Sequence, residues 1–156
     1  MRLLVSPVAS NPRSRAPVRL YLAFAALVLV GWAVQRVRAG GLSPAEVDAY
    51  YLGAGAEPLA PAAIWEEIHM GAFVHGFTLF MLGALLAVSP VPSRLRTGLF
   101  AAAVAAAFAD LFAPFGVLAL NGGGLLRVVT FVASAVTTGA LLALVAARFG
   151  REPRDA

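Results

Sequence analysis

From Ile68 to Val88 the chain runs 21 residues without an Asp, Glu, Lys or Arg. A helix of that length crosses the hydrocarbon core of a bilayer, at roughly 1.5 Å per residue over about 30 Å. Inside lipid only helices and closed barrels pair all their backbone groups, and a continuous apolar run lacks the alternation of a barrel strand. Three further runs read the same way. Leu20 to Val34 is extended by Gln35, Arg36 and Arg38, whose long stems can snorkel to the interface. The other two cover about Leu95 to Leu120 and Leu125 to Ala147. The expected organisation is a basic cytoplasmic tail over residues 1–19, a four-transmembrane-helix domain over 20–148, and a cytoplasmic tail over 149–156. Within the domain the spans are expected at about 20–38, 66–88, 95–120 and 125–147.

Composition narrows this to an all-α integral membrane four-helix bundle. The 156 residues are 60% hydrophobic, too apolar for an ordinary soluble domain. No cysteine is present, which removes disulfides, thiolate metal sites and thiol catalysis. All twelve basic residues are Arg and they flank the apolar spans, so the net charge of +4 reads as membrane topology and not as a nucleic-acid surface. Nine of them (2, 13, 15, 19, 94, 96, 148, 151 and 154) fall on one side of the expected spans, and three (Arg36, Arg38 and Arg127) on the other. The positive-inside rule then puts both termini in the cytoplasm and the acidic first loop outside.

The connections carry their own signals. Ser43-Pro44-Ala45-Glu46 is a capping box with proline at the first helical position, which predicts a short interfacial helix to about Leu52, stopped at Gly53, in the first outer loop. Tyr50, Tyr51, Trp32 and Trp65 are expected to form an aromatic belt on that side. Val37-Arg38-Ala39 loosely resembles a small-residue cleavage site, but the long arm before Leu20 and the intervening arginines favour a retained first span. Asn121-Gly122-Gly123-Gly124 is a tight turn, and no Lys-Ser/Thr follows to make it a phosphate loop.

Chemistry can live at few positions. His75 lies about 9 Å deeper than His69 along one helix, at hydrocarbon depth, where an ionisable group is a functional hypothesis by default. It shares a face with Ile68, Gly71, Thr78, Leu79 and Leu82, whereas His69 points about 120° away. The two histidines therefore cannot clamp one haem iron within one chain. Haem b or a transition metal held by His75, with Met81, Met70 or a partner subunit as second ligand, remains open. Glu66 and His69 form a single Glu-x-x-His, half of what a di-iron bundle requires, and stand as a second metal candidate at the helix start. In the third span Asp110 precedes Pro114 by four residues, so its carbonyl loses a helical hydrogen bond. Arg127, Thr130, Ser134 and Thr138 make a polar stripe on the fourth span, where the hydroxyls can simply satisfy their own helix. By depth, His75, Asp110, Arg127, Thr130 and Ser134 can form one interior polar cluster, with His75 and Arg127 as the two possible partners of Asp110.

Ser43-Pro44-Ala45-Glu46-Val47-Asp48-Ala49-Tyr50-Tyr51-Leu52-Gly53, a histidine-bearing second span that opens with acids, and Asp110-Leu111 resemble a family of uncharacterised bacterial four-span inner-membrane proteins. The resemblance covers most of the chain from Leu42 onward and implies the same topology, without an activity. That family usually has Thr-His-x-His at the start of the second span; here only Val74-His75-Gly76-Phe77 fits.

Three functions follow as expectations. The first is a haem- or metal-binding electron-transfer subunit. The second is a structural or assembly partner in a larger membrane complex, as a homo-oligomer or with other subunits in the lipid bilayer. The third is an ion or proton pathway through His75 and Asp110. An enzyme is disfavoured, since the chain lacks a Ser-His-Asp order and a second carboxylate deep in a span.

Overall fold

Prolines mark the starts of most of the helices, because a first-turn residue needs no hydrogen-bonding N–H. The computed structural model describes residues 12–54 and 57–150; of the tails expected over 1–19 and 149–156, residues 1–11 and 151–156 lie outside the described residues, while 12–19 and 149–150 are helical and continue the adjoining spans. Within them are five helices: α1 Pro12–Gly40, α2 Pro44–Leu52, α3 Pro61–Ala87, α4 Ser93–Leu120 and α5 Gly124–Gly150. Four are long and apolar enough to cross a membrane, over Ala16–Gly40, Pro61–Ala87, Ser93–Leu120 and Gly124–Phe149. The protein is an all-α membrane protein whose four long helices form a bundle, with a short helix between the first two spans. Large apolar side chains stand outward all round it, Leu27, Phe73, Phe80 and Val136 among them, as a surface that meets lipid requires.

The loop helix α2 folds as the capping box dictates. Ser43 accepts from the Glu46 amide, Glu46 accepts in return from the Ser43 and Leu42 amides, and Gly53 ends the helix at a positive φ of 74°. Its other face is glued to the bundle end. Val47 and Tyr51 are buried against Ile64, Ile68 and Val117. Asp48 accepts a 2.8 Å hydrogen bond from the Gly124 amide, which satisfies an orphan donor at the N-terminus of α5 and complements its dipole. Gly124 has to be glycine there, because a Cβ would strike the Pro44 carbonyl.

Two packing regions divide the bundle along its length. Towards the termini, Val18 and Leu22 of α1, Leu79, Leu82 and Leu86 of α3, Ala103 and Ala107 of α4, and Leu141, Val145 and Phe149 of α5 form one dry apolar layer. Towards α2, the helices that enclose the axis carry charge instead. The expected aromatic belt is corrected on this side: of its four members Tyr51 and Trp32 are buried, Tyr50 is half-buried, and only Trp65 stands exposed, beside Phe115. Both inward rings carry a polar atom: the Tyr51 hydroxyl reaches Glu67, whereas the Trp32 indole N–H has no partner among the described residues.

Candidate functional site

Each of the four long helices brings one charged side chain to the α2 half of the bundle axis. α1 supplies Arg36, α3 Glu67, α4 Asp110 and α5 Arg127. Asp110 is completely buried, and both arginines are nearly so. Arg127 donates from Nη1 to Asp110 Oδ1, and its Nη2 lies 4.0 Å from Glu67 Oε1. Arg36 forms an ion pair with the same Glu67, with its guanidinium 4.9 Å from the Trp32 ring centre. Tyr51 donates from its hydroxyl to both Glu67 oxygens at 2.8 and 3.0 Å. Two guanidiniums and two carboxylates cancel, so the network is neutral while His75 is neutral. Buried charge in a bilayer is tolerated only in such a paired form.

His75 sits one layer deeper. Its Nε2 is 3.8 Å from Asp110 Oδ2, beyond hydrogen-bond reach, and its ring meets Trp32 edge-on with centroids 6.3 Å apart. Gly71 makes this possible one helical turn earlier. A Cβ there would come within 2.6 Å of the Leu111 side chain and 3.0 Å of Trp32, so any larger residue would have to displace both side chains where α1 and α4 close over α3.

Below the charges opens a cleft of about 250 Å³ between α1 and α5, with His75 and Asp110 at its floor. Trp32 Nε1, both His75 ring nitrogens, Asp110 Oδ2, Ser134 Oγ and Thr138 Oγ1 are buried and have no hydrogen-bond partner among the described residues. All five residues line this one cleft. A smaller recess of about 30 Å³ lies on the α2 side, lined by Arg36, Tyr51, Glu67 and Arg127, and Phe131 borders both spaces.

The hydroxyls of α5 divide sharply. Thr130 donates to the Arg127 carbonyl at 3.1 Å and Thr137 to the Ala133 carbonyl at 2.7 Å, as self-satisfied helix hydroxyls do. Ser134 and Thr138 make no such bond and face the cleft. Thr130 is therefore beside the network without joining it.

A family model described as a transmembrane helical domain matches residues 41–155. The chain belongs to this transmembrane helical domain family. No curated protein and no solved structure matches it. The family stretch carries Glu67, His75, Asp110 and Arg127, while Trp32 and Arg36 come from α1 outside it.

The structure brings His75, Asp110, Arg127 and Ser134 together and leaves His69 and Glu66 apart, both exposed on the outside of α3. Met70 is exposed and Met81 half-buried, on faces of α3 other than that of His75. Among the described residues no three His, Asp or Glu side chains converge as a metal cluster. Sequence reasoning missed Glu67, Arg36, Trp32 and Tyr51. The signal for Glu67 was present: it is four residues before Gly71 and eight before His75, on the same stripe, whereas its neighbour Glu66 is turned about 100° outward. Trp32 and Arg36 are likewise spaced i, i+4. Arg36 was assigned to the interface because a snorkelling arginine and a buried one look alike in a sequence.

Proposed function

We propose that this membrane protein binds a small ligand in the cleft beside His75 and exchanges protons between that cleft and the α2 face. One observation carries the reading: titratable side chains, bridged at one point by Arg127, run from the loop helix to the cleft. Tyr51 contacts Glu67, Glu67 and Asp110 flank the same Arg127 guanidinium, and Asp110 faces His75. The arginines are not proton carriers, since a guanidinium does not release its proton in a protein. Their part is to hold two carboxylates at hydrocarbon depth as a charge-neutral set. Protons would pass through water between Asp110 and His75 in the cleft, which has both room and unsatisfied partners, and along the Arg127 guanidinium between Asp110 and Glu67, which lines the smaller recess. The route goes no further, because Leu82, Leu86, Leu141 and Val145 fill the terminal half. A single chain thus supports a half-pathway ending at a site, in place of a channel through the membrane.

The distribution of arginines supports an inner-membrane setting with both termini cytoplasmic and the α2 face outward. The test uses protein labelled with ¹⁵N-histidine in lipid nanodiscs, with exposed His69 as internal control. His75 is expected to exchange its ring proton with bulk water, and Glu67→Gln to slow that exchange about tenfold while His69 is unchanged. Exchange at His75 that is absent in the wild type, or indifferent to Glu67→Gln, rules the relay out.

A second reading takes His75 as a ligand for haem b or a transition metal. What favours it is that both ring nitrogens have no hydrogen-bond partner among the described residues. A Soret band in the purified protein, lost in His75→Ala, is its test.

A further inference from the structure

We infer that the cleft between α1 and α5 takes a membrane-dissolved ring that bears carbonyl oxygens on an apolar tail, the chemistry of a quinone. This names the ligand of the site proposed above and rests on that reading only in taking the cleft as a binding site, not on the proton relay.

The polar groups at the floor select the ligand class. Trp32 Nε1 is a donor only, the Ser134 and Thr138 hydroxyls can each donate, and neutral His75 offers one N–H; all are buried without partners among the described residues. Asp110 Oδ2 accepts, as the two hydroxyls and the second nitrogen of His75 also can. Trp32 Nε1 can be met only by an acceptor, and four donors converge on the cleft, so a complementary ligand presents acceptor oxygens. A cation or an amine does not fit, since Arg36 and Arg127 lie just above. A free anion does not fit either, because both guanidiniums are already paired with carboxylates. A neutral carbonyl compound answers the donor set without disturbing that balance.

The walls select the rest. Ala26, Leu29, Val30, Ala33, Ala135 and Leu142 make the sides apolar, as ligand pockets with a few convergent polar groups are. Val30, Ala135 and Gly139 are exposed at the rim, on helices whose outer surfaces meet lipid, so the opening faces the bilayer. At about 250 Å³ the cleft exceeds the roughly 150 Å³ that suffices for a benzene ring in a protein interior. A tail can trail from the ring into the membrane through the gap beside Gly139, where a Cβ would meet nothing within 4 Å.

Trp32 supplies the reporter. The chain has two tryptophans, and Trp65→Phe leaves Trp32 alone; Trp65 is exposed, so the exchange is mild. In phosphatidylcholine nanodiscs, a decyl-benzoquinone titrated into the Trp65→Phe protein is expected to quench Trp32 saturably. Decylbenzene, with the same tail and no carbonyls, is expected to give no saturable component. Gly139→Leu or Ala135→Leu, each at an exposed rim position and checked for an unchanged thermal midpoint, is expected to weaken the saturable component at least tenfold. Ser134→Ala with Thr138→Val, which removes two donors and keeps the shape, is expected to weaken it severalfold. Quenching that grows linearly as in free lipid, that decylbenzene reproduces, or that survives both rim variants overturns the inference. The relay is read separately by histidine exchange without added ligand, so loss of one result leaves the other intact.

Discussion

The two halves of the bundle solve the same packing problem by different means. Towards the termini, four helices meet through buried leucine, valine, alanine and phenylalanine, side chains that need no hydrogen-bond partner. Towards α2, the same four helices meet through one charge each, and every charge depends on another helix being in place. Apolar layers tolerate rearrangement, because any well-shaped hydrophobic group will do. A closed set of four charges does not. It fixes which helix faces which and at what height, at the cost of desolvating all four groups. That cost is why the proposed site is placed in the α2 half, since the terminal half shows that this sequence can pack helices without ions.

The comparison can be broken most forcefully at Asp110. Replacing it by Ala leaves Arg127 facing Glu67 alone, and removal of one partner of a buried pair costs about 3–5 kcal/mol. The double replacement Asp110→Leu with Arg127→Leu is expected to cost far less than the sum of the singles, because Arg36 still neutralises Glu67. Thermal unfolding in detergent reads both. Additive effects would mean that the network is not a unit.

Leu82→Ala probes the other half. Leu82 is wholly buried in the apolar layer, and its truncation is expected to cost about 2–5 kcal/mol through a cavity alone. Combined with Asp110→Ala it should be additive within about 0.5 kcal/mol, as distant independent sites are. Proton exchange at His75 in the Leu82→Ala protein should match the wild type, whereas a substitution in the charged half should change it.

Legibility in the sequence followed the same division. The spans and the α2 helix were readable because hydrophobic run length and the Ser43-to-Glu46 box are local signals. The charged half was readable in part. Asp110, His75 and Arg127 declared themselves by standing alone in apolar surroundings. Arg36 and Glu67 stand near helix ends where charge is ordinary, and only their inward faces distinguish them. The pairing itself was not legible, since which of His75 and Arg127 reaches Asp110 depends on helix heights set by contacts such as Gly71 against Trp32 and Leu111.

A subtler test concerns that pairing. Arg127 donates directly to Asp110, whereas His75 stops at 3.8 Å. A double-mutant cycle between Asp110→Asn and His75→Gln is therefore expected to give a coupling of about 0.5 kcal/mol or less, against about 2 kcal/mol for Asp110→Asn with Arg127→Gln. Equal couplings would place His75 inside the ionic set and remove its freedom to meet a ligand.

The smallest effect is expected where the two halves cease to differ, at the exposed cap of α2. The amide and hydroxyl of Ser43, with the Leu42 amide, hold the Glu46 carboxyl below its ordinary range. A carboxylate whose folded pKa is depressed adds stability above its unfolded pKa, near the usual glutamate value, and that contribution is lost as pH falls through the folded value. Loosening α2 matters beyond the loop, because this helix carries Asp48 to the N-terminus of α5 and Tyr51 to Glu67. Ser43→Ala should lower the stability of α2 by about 1 kcal/mol, whereas Glu46→Gln, which keeps an acceptor, should do less. In amide hydrogen exchange over α2, the Gln variant should exchange a few times faster than wild type at pH 7. The two should converge as the pH drops below the depressed carboxyl, because the wild-type side chain is then neutral as well. A ratio that stays constant with pH would show that the charge of Glu46, as distinct from its hydrogen bonds, does nothing to hold α2 against the network.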